Sequence, residues 1–173
     1  MSSASVIGTA ISLVLLTVLA YLMIGLVFTT SETVSSVQTQ QVNALEDRLM
    51  TSISIVNTSL PRYDGYYSEI YAEVENTGKT TLSNFKNWDV IVKVASASLQ
   101  VEPKVCIYNN NSAVNRWNCV IEPDMLSPGQ LNPGEVMNMS IRIEDSDSES
   151  ASTRMLHITT PNGVSASAYV KAP

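Results

Sequence analysis

The first 31 residues carry no charged side chain, and the first charge of either sign is Glu32. The 10 basic and 16 acidic residues, and so the net charge of −6, all fall on residues 32–173. So few Lys and Arg residues, in an acidic half, argue against a nucleic-acid partner, because phosphate binding needs clustered cations. Histidine is nearly absent. His157 stands alone between Leu156 and Ile158 in a strand-like run, where a structural role is expected rather than a catalytic one. There is no glycine-rich phosphate loop and no serine nucleophile elbow. The two cysteines, Cys106 and Cys119, lack Cys-x-x-Cys spacing and the second ligand pair of a zinc site. The expectation is therefore a protein that is not an enzyme and has no cofactor or metal. Aromatics are only 6% of the chain and lie in strand-like stretches, as core residues do.

What is present begins with Val6 to Phe28, a predominantly apolar run of 23 residues. As a helix it is about 34 Å long, enough to cross a bilayer. A secretory signal peptide needs basic residues ahead of a shorter apolar stretch and a small-residue cleavage site after it. Neither is visible, which leaves a membrane anchor or the core of a polymer. Either a basic leader has been removed ahead of Met1 or Met1 is the initiator, and both stay open. Gly8 and Ser12, and Thr17, Tyr21 and Gly25, recur every four residues. Small or hydrogen-bonding residues at that spacing let helices approach closely in an apolar medium.

Residues 32–57 contain no Pro and no Gly, and Val42, Leu45, Leu49, Ile53 and Val56 recur at spacings of three and four. That is one stripe of an amphipathic helix. Pro61 disfavours helix at Leu60. One helix over residues 3–57, about 80 Å long, is expected. The chain divides accordingly into an N-terminal helical region, 1–60 (1–31 apolar, 32–60 amphipathic), and a β region, 61–173.

From Tyr63 the pattern alternates. "YYSEIYAEVENTG" ends in the turn Asn76-Thr77-Gly78, "WDVIVKVAS" is rich in β-branched residues, and Pro133-Gly134 precedes an alternating strand. Pro161-Asn162-Gly163 marks a final hairpin. About seven short strands suggest an all-β immunoglobulin-like sandwich, so the whole chain is α+β. Cys106 and Cys119 flank an Asn-rich turn and, on paired strands, reach disulfide separation. An extracytoplasmic site favours that bond over two buried thiols, and closing such a loop contributes about 3 kcal/mol. Asn57, Asn110 and Asn138 each begin a glycosylation sequon, with Asn110 at a hairpin tip the best placed. Asp145, Asp147 and Glu149 alternate in the polar segment "EDSDSESAST" and could hold a hard cation. The EF-hand glycine and distal glutamate are missing, so a solvated loop is the expectation.

A charge-free helix running into an amphipathic half and then a β-sandwich resembles the archaeal branch of the type IV filament superfamily: archaellins, archaeal adhesion pilins and pilin-like components of the archaellum motor. The stretch "SSASVIGTAISLVLLTVLAYLMIGLVFTT" carries the architecture. "VENTGKTTLSNFKNWDVIV", "LNPGEVMNMSIRI" and "TTPNGVSASAYV" are similar to segments of archaellum β-domains, including the motor-associated ones. No basic leader is visible, and the glutamate near the start of many bacterial pilins is absent, as fits the archaeal branch. The resemblance implies a structural subunit of an extracellular archaeal filament, inserted in the membrane before assembly and polymerising with itself, with Val6, Ile11, Leu15, Val18, Leu22 and Leu26 as helix-core contacts. It implies an assembly platform as a further partner. The alternative it carries is a membrane-anchored, stator-like component whose β-domain binds surface-layer protein. A generic anchored sandwich that binds a carbohydrate or protein is a third reading.

Overall fold

A computed structural model describes residues 3–63, 66–95, 101–109, 113–144 and 153–170. It separates into two compact units, Met1–Leu45 and Glu46–Pro173. The first is helical. Helix α1 runs over Ser3–Met50, its last turn belonging to the second unit. The serine and threonine hydroxyls between Val6 and Thr30 are satisfied within the helix. Thr9 donates to the Val6 carbonyl at 2.9 Å, Ser12 to Gly8 at 2.9 Å, Thr17 to Val14 at 2.8 Å and Thr30 to Leu26 at 2.7 Å. A hydroxyl bonded to the preceding turn exposes no unmet donor, so the segment suits a medium without water. Ser12 and Thr17 therefore offer small surfaces to a neighbouring helix rather than spare donors. Between Val6 and Phe28 the large apolar side chains are 53% to 79% exposed, on every side of the helix.

The helix ends seven residues earlier than the expected limit of 57. Ile53 and Val56, the last members of the apolar stripe, belong to strand β1, Ile53–Tyr63. Two β-branched isoleucines at 53 and 55 favour a strand, and tertiary pairing with the next strand wins over the periodicity. Pro61 does not break a helix but lies in an irregularity of β1 between Ser59 and Arg62, where it has no ladder bond to lose.

The second unit continues with β2 (Tyr67–Asn76), a 3₁₀ turn at Phe85–Asn87, β3 (Asp89–Ala95), β4 (Val101–Tyr108), β5 (Arg116–Ile121), β6 (Val136–Glu144), β7 (Thr153–Thr159) and β8 (Ser165–Tyr169). The hydrogen-bonded order is β1-β2-β6-β5-β4-β3-β7-β8. Every pairing is antiparallel except β4 with β5, which is parallel over Ile107–Arg116 and Tyr108–Trp117. That short junction joins two four-stranded layers, β1-β2-β6-β5 and β4-β3-β7-β8. The far edges also approach, where Thr58 donates to the Tyr169 carbonyl at 2.8 Å. The result is the immunoglobulin-like sandwich expected of the β region, nearly closed into a barrel, with eight strands among the described residues.

Alternation places the core. Ile70, Ala72 and Val74 of β2, Val90 and Val92 of β3, Met137, Met139, Ile141 and Ile143 of β6, and Leu156 and Ile158 of β7 all point inward and are buried. Both tryptophans join them. Trp117 packs edge-on to Tyr108 at 4.9 Å between centroids, and Trp88 against Phe85 at 5.3 Å. His157 is not isolated. Its Nδ1 lies 2.6 Å from the Ser167 hydroxyl and its Nε2 3.3 Å from the Thr159 hydroxyl, a cross-strand link from β7 to β8.

Candidate functional site

Three features of the described residues bear on function: the apolar helix surface, the clamp at the helix end and a groove on one sheet face. The helix surface carries all six expected contact residues. Ile11, Leu15, Val18, Leu22 and Leu26 follow spacings of three and four, and Val6 lies five residues before Ile11, off that stripe; all six are exposed. Apolar area of that extent needs lipid or other helices to cover it.

The clamp was not foreseen. Asn76-Thr77-Gly78 and Pro161-Asn162-Gly163 form the expected turns, and both also close on the end of α1. A helix ends with unmet carbonyls. Here the Lys79 amide donates to the Met50 carbonyl at 2.8 Å, and Asn162 Nδ2 donates to the Asp47 carbonyl at 3.4 Å and to the Thr51 hydroxyl at 2.6 Å. The Thr77 and Gly78 amides both donate to the Ser52 carbonyl at 3.0 Å. Arg48 in the last turn complements the negative end of the helix dipole. Gly78 is required by space. A Cβ there would meet the Ser52 nitrogen at 2.5 Å and the Met50 oxygen at 2.6 Å, both backbone atoms. Asn76, fully buried, holds the turn in place. Its side-chain amide donates to the Thr80 and Leu131 carbonyls at 2.8 and 2.9 Å, and its Oδ1 accepts from the Gly78 amide at 3.0 Å. Glu135 pins the adjoining loop, accepting from the Asn132 amide at 2.9 Å, from its side chain at 3.0 Å and from the Met125 amide at 3.3 Å. The Asn132 amide bond is the main cause holding its carboxyl below the usual range. The sequence signal was the Asn-x-Gly and Pro-Asn-Gly pattern, read only as turns.

The groove lies on the outer face of β1-β2-β6-β5 and encloses about 500 Å³. Strand register explains its lining. Asn57, Glu73, Asn138 and Val120 form one row across the four strands, and Ser59, Tyr71, Ser140 and Asn118 form the next. Sequon residues Asn57 and Asn138 are thus both exposed on one face, separated by β2 and so about 9–10 Å apart. Asn110 lies outside the described residues, as do Asp145, Asp147 and Glu149.

The expected disulfide is absent from this structure: Cys106 and Cys119 are free thiols. The inference required an antiparallel hairpin, whereas β4 and β5 meet in parallel. Extending the observed register sets Cys106 opposite Asn115, four residues short of Cys119 and about 13 Å away along a strand. Cys106 instead faces Val90 of β3. Burial pushes its thiol up to about 12 and that of Cys119 up to about 11. Burial also raises the Tyr108 phenol, with Cys119 beside it adding to the effect. Because the thiolate is the reactive form, native protein at pH 8 is expected to leave both cysteines unmodified by iodoacetamide, and denatured protein to take up two labels without prior reduction. Intact mass reads both, and a label count of zero after unfolding would restore the disulfide.

The archaeal-type flagellin family model matches residues 3–170, helix and β unit together. Among curated proteins none matches at a significant level. Among solved structures, the archaellum periplasmic stator protein FlaG from Sulfolobus acidocaldarius aligns with 24% identity and a TM-score of 0.49, over 69% of this chain and 98% of that one. The periplasmic stator complex of FlaF and FlaG from the same organism aligns with 23% identity and a TM-score of 0.49, over 68% of this chain and 86% of that one. A β-sandwich protein from Clostridium difficile follows at 15% identity and a TM-score of 0.32, over 70% of this chain and 81% of that one. An apolar helix joined to an immunoglobulin-like sandwich, matched by one family model from residue 3 to residue 170, places the chain in the archaeal-type flagellin family, as a component of the archaellum.

Proposed function

We propose that this chain is a structural filament subunit that polymerises through α1. The observation that carries the reading is the apolar surface of α1: exposed on all sides from Val6 to Phe28, uncharged as far as Ser31, and with its serine and threonine hydroxyls bonded inside the helix. Such a surface is at home in lipid and equally among copies of itself. The family match supports the reading because it extends through the helix rather than stopping at the β unit.

The proposed cycle involves no chemistry on the subunit. The chain waits in the membrane by α1, and an assembly platform lifts it into a helical polymer. There α1 exchanges lipid for the same surface on its neighbours. Once the helices lie outside the bilayer, each Å² of apolar area kept from water contributes about 25 cal/mol, which makes detachment costly. The β units form the outer layer, with their acidic surface and any glycans on Asn57, Asn110 or Asn138 facing outward.

The alternative is a stator-like component that stays in the membrane while its β unit grips the surface layer, supported by the segments similar to motor-associated β-domains. Intact and peptide mass of filaments sheared from cells separates the two. The filament reading expects this chain as a major species of the sheared fraction, with its mature N-terminus at or near Met1. Recovery only from the membrane fraction, in small amounts, would replace it with the stator-like reading.

A further inference from the structure

The Pro161-Asn162-Gly163 turn holds the chain's one Asn-Gly pair. That pair is the most reactive setting for an asparagine side chain, because a following residue without a Cβ leaves the approach to the side-chain amide open. The glycine nitrogen can then attack the asparagine Cγ, and the asparagine deamidates. In the folded unit both reactants are tied. The Gly163 amide donates to the Thr160 carbonyl at 2.9 Å. Asn162 Oδ1 accepts from the Thr160 hydroxyl at 2.5 Å, while Nδ2 donates to the Thr51 hydroxyl at 2.6 Å and to the Asp47 carbonyl at 3.4 Å. Thr160 is buried, and its own amide donates to the Val164 carbonyl at 2.8 Å. The clamp that closes the end of α1 is therefore also a lock on this amide.

We infer that Asn162 is a deamidation site gated by the clamp, and that the change runs one way: a closed clamp protects the amide, and a clamp that has lost the amide does not close again. When the joint opens, the Gly163 nitrogen gives its proton to solvent and bonds to Asn162 Cγ. The Cγ–Nδ2 bond breaks, and ammonia leaves with a proton taken from water. Water then opens the cyclic imide to aspartate or isoaspartate. One water is consumed and one ammonia released, and no oxidant or reductant is needed. The product fails at the clamp for three reasons. A carboxylate has no donor for the Asp47 carbonyl. Thr51 cannot compensate, because its single hydroxyl proton already serves that carbonyl at 2.7 Å, and turning it to the carboxylate would leave the carbonyl unmet. The new charge also stands at the end of α1, beside the carbonyls that form the negative pole of the helix dipole. Isoaspartate adds a backbone carbon to the turn as well, and so displaces Gly163 from Thr160. Opening of the helix joint is thus recorded covalently, in a filament subunit and in a stator-like component alike.

The test is incubation of the full chain in detergent micelles, at pH 8 in water enriched in heavy oxygen, followed by peptide mass of the segment that holds residue 162. Heavy oxygen enters only with the water that opens the imide, so new product is separated from old. Native wild type is expected to deamidate at Asn162 about tenfold more slowly than the same chain in urea, since the reaction waits on the open fraction. Thr51→Val removes the acceptor of Nδ2 at nearly constant volume and should raise the native rate several-fold, with unaltered tryptophan fluorescence certifying the core. Asn162→Asp, isosteric with the native side chain, should be cleaved between residues 48 and 53 in limited proteolysis that wild type resists. Equal rates in native and unfolded wild type overturn the inference, as does a Thr51→Val rate no higher than that of wild type. A wild-type proteolysis pattern from Asn162→Asp removes the one-way step, and an intact asparagine in the unfolded chain removes the site itself.

Discussion

Leu15→Arg is expected to abolish filaments while leaving the β unit folded. The guanidinium would sit in the middle of the apolar run, with no acidic residue between Met1 and Ser31 to pair it. Placing Arg at a helix centre in a bilayer already costs about 2.5–3.5 kcal/mol by insertion scales, and a packed helical core offers neither lipid headgroups nor water nearby. The loss repeats in every subunit, so a polymer multiplies it. The β unit has its own core, which contains no residue of the apolar run, so the tryptophan fluorescence and unfolding midpoint should match wild type. Because a central charge also strains a lone anchor, Val27→Lys is the sharper companion. At the end of a membrane span a lysine reaches the interface by extending its stem, whereas in a polymer core it has nowhere to go. Electron microscopy and fractionation read the pair: filaments lost in both variants is the expected result. Normal filaments from Leu15→Arg would end the polymer reading, and a functional membrane-bound Val27→Lys protein would favour the anchor.

Much of this architecture is legible in residue order. An uncharged run of 23 residues can be little other than a helix in an apolar medium, and alternation with β-branched residues marks β2, β3, β6 and β7 one by one. What failed did so where two elements compete for the same residues. Ile53 and Val56 continue the 3–4 periodicity of α1, yet β2 offers a strand partner from Asn76 back to Ser68, and pairing is a long-range fact that no local window contains. The cysteine pair failed for a related reason. A strand, an Asn-rich turn and a strand look like a hairpin, but β4 pairs with β3 and only touches β5 in parallel, so proximity in sequence misled. The two structural features missed altogether, the clamp and the groove, are assembled across strands. Asn57, Glu73 and Asn138 share a row only through the register of β1, β2 and β6, and Asn162 meets Asp47 only because the last hairpin returns to the start of the unit.

Gly78→Ala is the second large effect. At most turn glycines a methyl group costs conformational strain; here it collides with backbone. The added Cβ would come to 2.5 Å from the Ser52 nitrogen and 2.6 Å from the Met50 oxygen, and neither atom can swing aside as a flexible side chain would. To admit it, the β2 turn must lift from the helix end. That lengthens or breaks the Thr77 and Gly78 bonds to Ser52 and the Lys79 bond to Met50. Three backbone bonds at about 1 kcal/mol each give a loss of about 3 kcal/mol, the upper end of what overpacking alone costs. For a unit of this size, the unfolding midpoint should fall by about 10 °C, read through the buried Trp88 and Trp117. Gly8→Ala, whose Cβ meets nothing within 4 Å, is the control and should leave the midpoint in place. The functional consequence follows from the same bonds. The clamp ties the last turn of α1 to the β unit, so any pull or torque passing along the helix enters the sandwich through Met50, Thr51 and Ser52. Loosening it should make that joint the first site of limited proteolysis, with cleavage between residues 48 and 53 appearing in Gly78→Ala and in Asn162→Ala before any loss of the β core. A variant that keeps both the wild-type midpoint and the wild-type proteolysis pattern would show that the helix end does not depend on the turn.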